Sequence, residues 1–178
     1  MRTCLFLALA VLLCVCVNPI ARSVLYPLEY RDVILACSNE YDVPASLICA
    51  VIRKESRFRP DSVSHAGAYG LMQLTNPTFR QLSSELKMSS CEDIMSPYSN
   101  VRCGTYYLRY LYLRYGNWET ALAAYNAGLG NVDRWLTDAR YSADGKTLHT
   151  IPYSETELYV RDVTKIKELY YKIYELGS

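Results

Sequence analysis

From Leu47 to Glu55 the chain sets Leu47, Ile48, Val51, Ile52 and Glu55 on one broad stripe at 3.6-residue spacing, with Arg53, Lys54 and Arg57 on the opposite side. Such a stretch buries itself as a helix with its cations outside, and it carries one carboxyl group inward on its apolar face. Whatever fold forms must enclose Glu55 and leave it facing a cleft. After a turn comes Gly67-Ala68-Tyr69-Gly70-Leu71-Met72-Gln73-Leu74, a glycine-spaced segment able to fold back over that helix. The rest of the chain reads as scaffold for the acid.

The scaffold is helical. Pro27 opens a helix to about Tyr41; Asp42 is expected to cap the next, with Pro44 in its first turn and its end near Ser56. Phe58 to Gly70 reads as loop, and Asn76-Pro77 starts a short helix through about Lys87. A connector from Ser89 leads to a longer helix over Pro97–Tyr115, stopped by Gly116-Asn117. Trp118 to Ala127 forms another, ended by Gly128-Leu129-Gly130, and a short helix follows around Val132 to Leu136. Thr137 to Pro152 is the least structured part. In the last helix Tyr159, Val163, Ile166, Tyr170 and Ile173 repeat at three-four spacing. Strand alternation is absent outside short segments near Ser64 and Tyr141, so the fold class is all-α: a single helical domain with a cleft and little or no sheet.

A formal net charge of +1 and the lack of a polybasic run exclude a nucleic-acid binder that works by neutralising phosphates. His65 and His149 stand alone and no close cysteine pair exists, so neither a metal nor a cofactor is expected. The 17 tyrosines suit a helical core or a sugar-stacking cleft, and most are read as core. Arg2 and the apolar run Leu5–Val17, short of the ~20 residues that span a bilayer, mark residues 1–22 as a signal peptide or an N-terminal anchor. Pro19 disfavours cleavage near Ala21, which keeps the anchor and its membrane association open. Export to the periplasm or cell envelope fits the cysteines: beyond Cys4, Cys14 and Cys16 in the leader, an even set remains. Cys37 and Cys49 flank a helix–helix turn, so Cys37–Cys49 and then Cys91–Cys103 are the expected disulfides, against the alternative of ordinary buried thiols.

Burial and a place near a helix C-terminus would both raise the pKa of Glu55, as a general acid requires. Taken alone, a glutamate half-exposed at a helix end beside an arginine is the blander and better reading. Four ordered motifs change the weighing: Glu55-Ser56; Gly67 to Leu74; Ala124-Tyr125-Asn126-Ala127-Gly128; and Ile151-Pro152-Tyr153-Ser154-Glu155-Thr156 with Tyr159-Val160. From about Tyr26 to Tyr174 the chain resembles the catalytic domain of the soluble lytic transglycosylases, peptidoglycan-cleaving enzymes of lysozyme-like, goose-type architecture.

That resemblance makes residues 23–178 a catalytic domain whose partner is a peptidoglycan glycan strand, met by a monomer. It implies cleavage of the β-1,4 bond between N-acetylmuramic acid and N-acetylglucosamine without water, leaving a 1,6-anhydro end, with Glu55 as acid and then base. By position, Ser56 would orient Glu55, Met72 and Gln73 would line sugar subsites, Tyr125 and Asn126 would approach from across the cleft, and Glu155 and Tyr159 would close the site. Where the family commonly has arginine after Glu155-Thr156, this chain has Glu157, which bears on subsite preference. A hydrolase of the same fold and a glycan-binding protein without catalysis are the competing readings.

Overall fold

The computed structural model describes residues 26–88 and 93–176. Among the described residues are seven helices: α1 Arg31–Tyr41, α2 Ala45–Glu55, α3 Asn76–Glu85, α4 Pro97–Tyr115, α5 Trp118–Ala127, α6 Leu129–Leu136 and α7 Ser154–Tyr174. Two short strands, β1 Ala68–Tyr69 and β2 Leu74–Thr75, pair antiparallel with Ala68 opposite Thr75 and Tyr69 opposite Leu74. A lone bridge between Val63 and Tyr69 extends this hairpin toward the anticipated segment near Ser64. The expected signal peptide or anchor over residues 1–22 lies outside the described residues; within them, no helix is long and apolar enough to cross a membrane.

The helix ends follow local chemistry, with corrections: α1 begins at Arg31 and not at Pro27, and α6 at Leu129 rather than near Val132. Asp42 closes α1 rather than opening α2: it sits in the left-handed region at φ 53° and gives its N–H to the Ser38 carbonyl. Pro44 then takes the N-cap position of α2. The cap of α3 is Thr75, one residue before the expected Asn76, and its hydroxyl accepts from the Thr78 N–H at 3.4 Å. Asn117 caps α5 by accepting from the Thr120 N–H at 2.9 Å, and Gly116 ends α4 at φ 65°. The extent of α4 is the expected one.

α2 is the central helix. Every residue from Ala45 to Ile52 is buried, more than a one-sided stripe requires, because α1 and α7 both pack on it. α4 lies against α1, α3 and α5, and α5 bridges α4 to α7. The apolar interior divides in two. The larger cluster centres on α2 and includes Leu108, Leu122, Val163 and Tyr170; a smaller one joins Leu74, Phe79, Leu82 and Cys103. Tyr107 and Tyr125 pack against both.

The expected Cys37–Cys49 disulfide does not form, and both residues are buried free thiols. The α1–α2 turn does make a hairpin, but the helices are rotated so that the thiols serve different interfaces. Cys37 feels Glu40 and Arg102, whereas Cys49 acts on Tyr170 and Tyr174 of α7. Burial pushes Cys37 up to about 11 and Cys49 to about 12. Both are therefore expected to resist thiol reagents in the folded protein at pH 8, and to react fully once it is unfolded without reductant. The other expected pair includes Cys91, which lies outside the described residues.

Candidate active site

The backbone reverses sharply after α2. Ser56 caps the helix, its hydroxyl donating to the Ile52 carbonyl at 3.1 Å, and Arg57 and Phe58 follow with φ of 54° and 64°. Two successive left-handed residues cost about 1–3 kcal/mol each, and packing must hold them. Phe58, only 2% exposed, is driven into the core beside Tyr170, with ring centroids 6.2 Å apart. This reversal leaves Glu55 on the last turn of α2, half-buried, with the segment that follows returning across the helix end. Ser56 fixes the end of the helix on which Glu55 stands; its hydroxyl bonds to the backbone and not to the carboxyl.

Tyr159 of α7 donates its hydroxyl to Glu55 Oε1 at 2.7 Å. Burial raises Glu55 to about 7, against the opposing pull of the Tyr159 hydrogen bond and the Lys54 charge. Burial likewise holds the Tyr159 and Tyr125 phenols well above their ordinary range, and Glu55 reinforces it, so both stay neutral donors. The site thus offers one carboxyl able to give or take a proton near neutrality, between two neutral phenols. Tyr159→Phe removes a donor that favours the carboxylate. Glu55 is then expected to titrate about one unit higher, followed by the 13C shift of its carboxyl.

Tyr125 of α5 reaches the site's other wall by donating to the Met72 carbonyl at 2.8 Å. Met72 is fully buried, and its side chain packs so closely on α4 that a Cβ on Gly104 would meet its Sδ at 2.4 Å. Its thioether packs on α4, and it is the backbone carbonyl that Met72 turns toward Tyr125. Gln73 is half-buried at φ 50°, and its amide donates to the carbonyls of Gly70 at 2.8 Å and Ser62 at 3.1 Å. That is the partner a glutamine between two leucine-flanked positions needs.

Sequence reasoning missed Asn100. Fully buried in the first turns of α4, it accepts from the Met72 N–H at 2.7 Å and donates to the carbonyls of Tyr69 at 2.9 Å and Ile94 at 2.8 Å. Gly70, at φ 76°, lies so near that a Cβ there would meet Asn100 Nδ2 at 2.4 Å. An asparagine inside a helix, where its amide competes with the backbone, was the available signal.

Across the cleft, Asn126 is exposed at the end of α5, and its Oδ1 accepts from the buried Thr156 hydroxyl at 2.7 Å. Thr156 therefore ties α7 to the Tyr125-Asn126 corner, a link the motif order alone did not give. Glu155 and Glu157 are both exposed in the first turn of α7, and among the described residues neither forms an ion pair. Two residues apart on a helix, they do not face one another. Glu157 instead borders a groove of about 430 Å³ with His149, Val160 and Arg161.

A family model described as the transglycosylase SLT domain matches residues 32–148. The soluble lytic murein transglycosylase of Escherichia coli K12 is 34% identical over 154 residues, covering 84% of this chain and 24% of that protein. Its counterpart in Salmonella typhimurium is 36% identical over 146 residues, covering 78% and 22%. Among solved structures, an inactive mutant of the lytic transglycosylase Slt from Pseudomonas aeruginosa aligns with a TM-score of 0.78 at 31% identity, covering 88% of this chain and 26% of that one. The 70 kDa soluble lytic transglycosylase of Escherichia coli gives 0.75 at 31%, covering 85% and 25%. The chain thus spans about a quarter of the length of these relatives.

Proposed function

The chain belongs to the transglycosylase SLT domain family, and from that premise we propose that it is a peptidoglycan lytic transglycosylase in which Glu55 is the single acid and base. The carrying observation is the Glu55 carboxyl itself: half-buried, raised to about 7 and hydrogen-bonded by Tyr159. Protonated, it gives its proton to the glycosidic oxygen between N-acetylmuramic acid and N-acetylglucosamine as the C1–O bond breaks. The resulting carboxylate then takes the proton of the C6 hydroxyl while O6 bonds to C1, closing a 1,6-anhydro ring without water. The acetamido oxygen of the substrate shields C1 between the two steps.

A hydrolytic glycosidase of the usual kind places a second carboxylate about 5–10 Å away. Among the described residues, the groups that shift Glu55 are Tyr159 and Lys54, neither of them a carboxylate. Asp61, next downstream, instead acts on Tyr30. Tyr159 and Tyr125 hold the acid and the opposite wall, Gln73 and Asn126 line the sugar subsites, and Glu155 stands toward the peptide stem. Ser56 and Met72 serve through the backbone they fix. The enzyme acts as an exported monomer in the cell envelope, reached through the leader.

Mass spectrometry of digested peptidoglycan tests this reading. Products lighter by one water than reducing-end muropeptides are expected. Reducing ends would instead assign the hydrolase, and intact strands with retained binding would assign a glycan-binding protein.

A further inference from the structure

A second contact joins α2 and α7 beside the Glu55–Tyr159 hydrogen bond. Lys54 Nζ lies 2.8 Å from Asp162 Oδ2, and both side chains are about one third exposed. Lys54 precedes Glu55 directly, and Asp162 stands three residues after Tyr159, on the same flank of α7. The pair occupies a groove lined by Tyr26, Arg53, Lys54, Arg57, Asp162 and Lys165, with Ile166 and Leu169 beyond. Asp162 is the sole acid of that lining, facing four cations, and it pairs with the one next to the candidate general acid.

We propose that Asp162 is a positioning residue that parks the Lys54 ammonium on α7, away from the Glu55 carboxyl, and so keeps the general acid protonated. This rests on Glu55 being that acid. The groups acting on Glu55 are Tyr159 from α7 and Lys54 from its own helix, with Tyr125 facing it from α5. Asp162 is in turn surrounded by Lys54, Arg161 at 3.8 Å, and Lys165. Lys54 already acts on Glu55 from its parked position and favours the carboxylate. With Asp162 neutralised, an ammonium on a flexible four-carbon stem has Glu55 as its neighbouring carboxylate and approaches it. Arg53 is occupied elsewhere, its guanidinium lying over the Tyr26 ring at 5.2 Å.

The test is the Glu55 titration, read by carboxyl 13C shift, together with the pH profile of kcat/KM on peptidoglycan. It uses the full chain carrying Asp162→Asn, Lys54→Met, or both. Asp162→Asn is expected to lower the Glu55 pKa and move the alkaline limb down by about one unit, about tenfold in rate on that limb. Lys54→Met is expected to move both upward. The double variant should match Lys54→Met alone, because nothing remains to be parked. An equal Asp162→Asn shift with and without Lys54 would overturn the proposal, as the aspartate would then act through its own charge. An unchanged Glu55 titration in Asp162→Asn would also overturn it. The carboxyl shift is readable without turnover, so an enzyme in which Glu55→Gln remains active would remove the catalytic reading while leaving the parking of Lys54 decided on its own evidence.

Discussion

Glu55→Gln is expected to lower turnover by about a thousandfold or more, since the one group that both gives and takes a proton is gone. The side chain keeps its length, and its amide oxygen can still accept from the Tyr159 hydroxyl, so the cleft should bind glycan as before. Stability gives an independent reading with a definite sign. Glu55 titrates near 4.5 when unfolded and at about 7 when folded. Between those values the folded chain holds a proton that the unfolded chain has released, so stability falls as pH rises across this window. At most about 3 kcal/mol is lost on passing from below 4.5 to above 7, and the glutamine variant does not lose it. The variant should therefore be the more stable protein at pH 8 and equal to the parent at pH 4, as measured by denaturant unfolding at the two values. Substantial cleavage by Glu55→Gln would sink the assignment of the acid.

Asn100→Ala should destabilise the fold by about 3–5 kcal/mol, the largest effect expected away from the carboxyl. The substitution strips partners from the Met72 N–H and from the Tyr69 and Ile94 carbonyls in one step. An aspartate does not rescue it: it can accept from Met72 but cannot donate to two carbonyls, and it buries a charge. Gly70→Ala attacks the same joint from the other side, through both a positive φ and the 2.4 Å approach to Asn100. Because Tyr125 bonds to the carbonyl of Met72 itself, loosening this joint also frees the wall that Tyr125 holds. Loss of activity beyond the loss of folded protein is the accompanying readout.

The elements legible in the sequence were those decided by neighbours along the chain. Pro97 and Gly116 bound α4 because proline fixes its own φ and glycine alone takes the left-handed turn freely, and 3.6-residue spacing put Glu55 on the inward side of α2. Spacing put Tyr159 on the inward face of α7, but motif order brought it and Tyr125 to the site, and the structure puts both within the electrostatic reach of Glu55. What stayed hidden depends on how helices rotate against one another. Cys37 and Cys49 looked opposed across a turn, yet they face different helices. Asn100 meets Tyr69 and Met72 from about thirty residues away, a contact no local pattern encodes. The contribution of Met72 is a carbonyl oxygen, which side-chain identity does not reveal.

The divided interior bears on how the cleft can open. The smaller cluster rests on Leu74, Phe79, Leu82 and Cys103, whereas the larger one takes in α2 from Ala45 to Ile52. Cooperative opening follows buried apolar contact, so α3, held through Phe79 and Leu82, can separate from α4 at a smaller free energy than any motion that exposes α2. Glu55 is mounted on the part that opens last, and the Met72 carbonyl that Tyr125 bonds belongs to that same part. Loosening of α3 therefore leaves Glu55 and its hydrogen-bonded phenol in place.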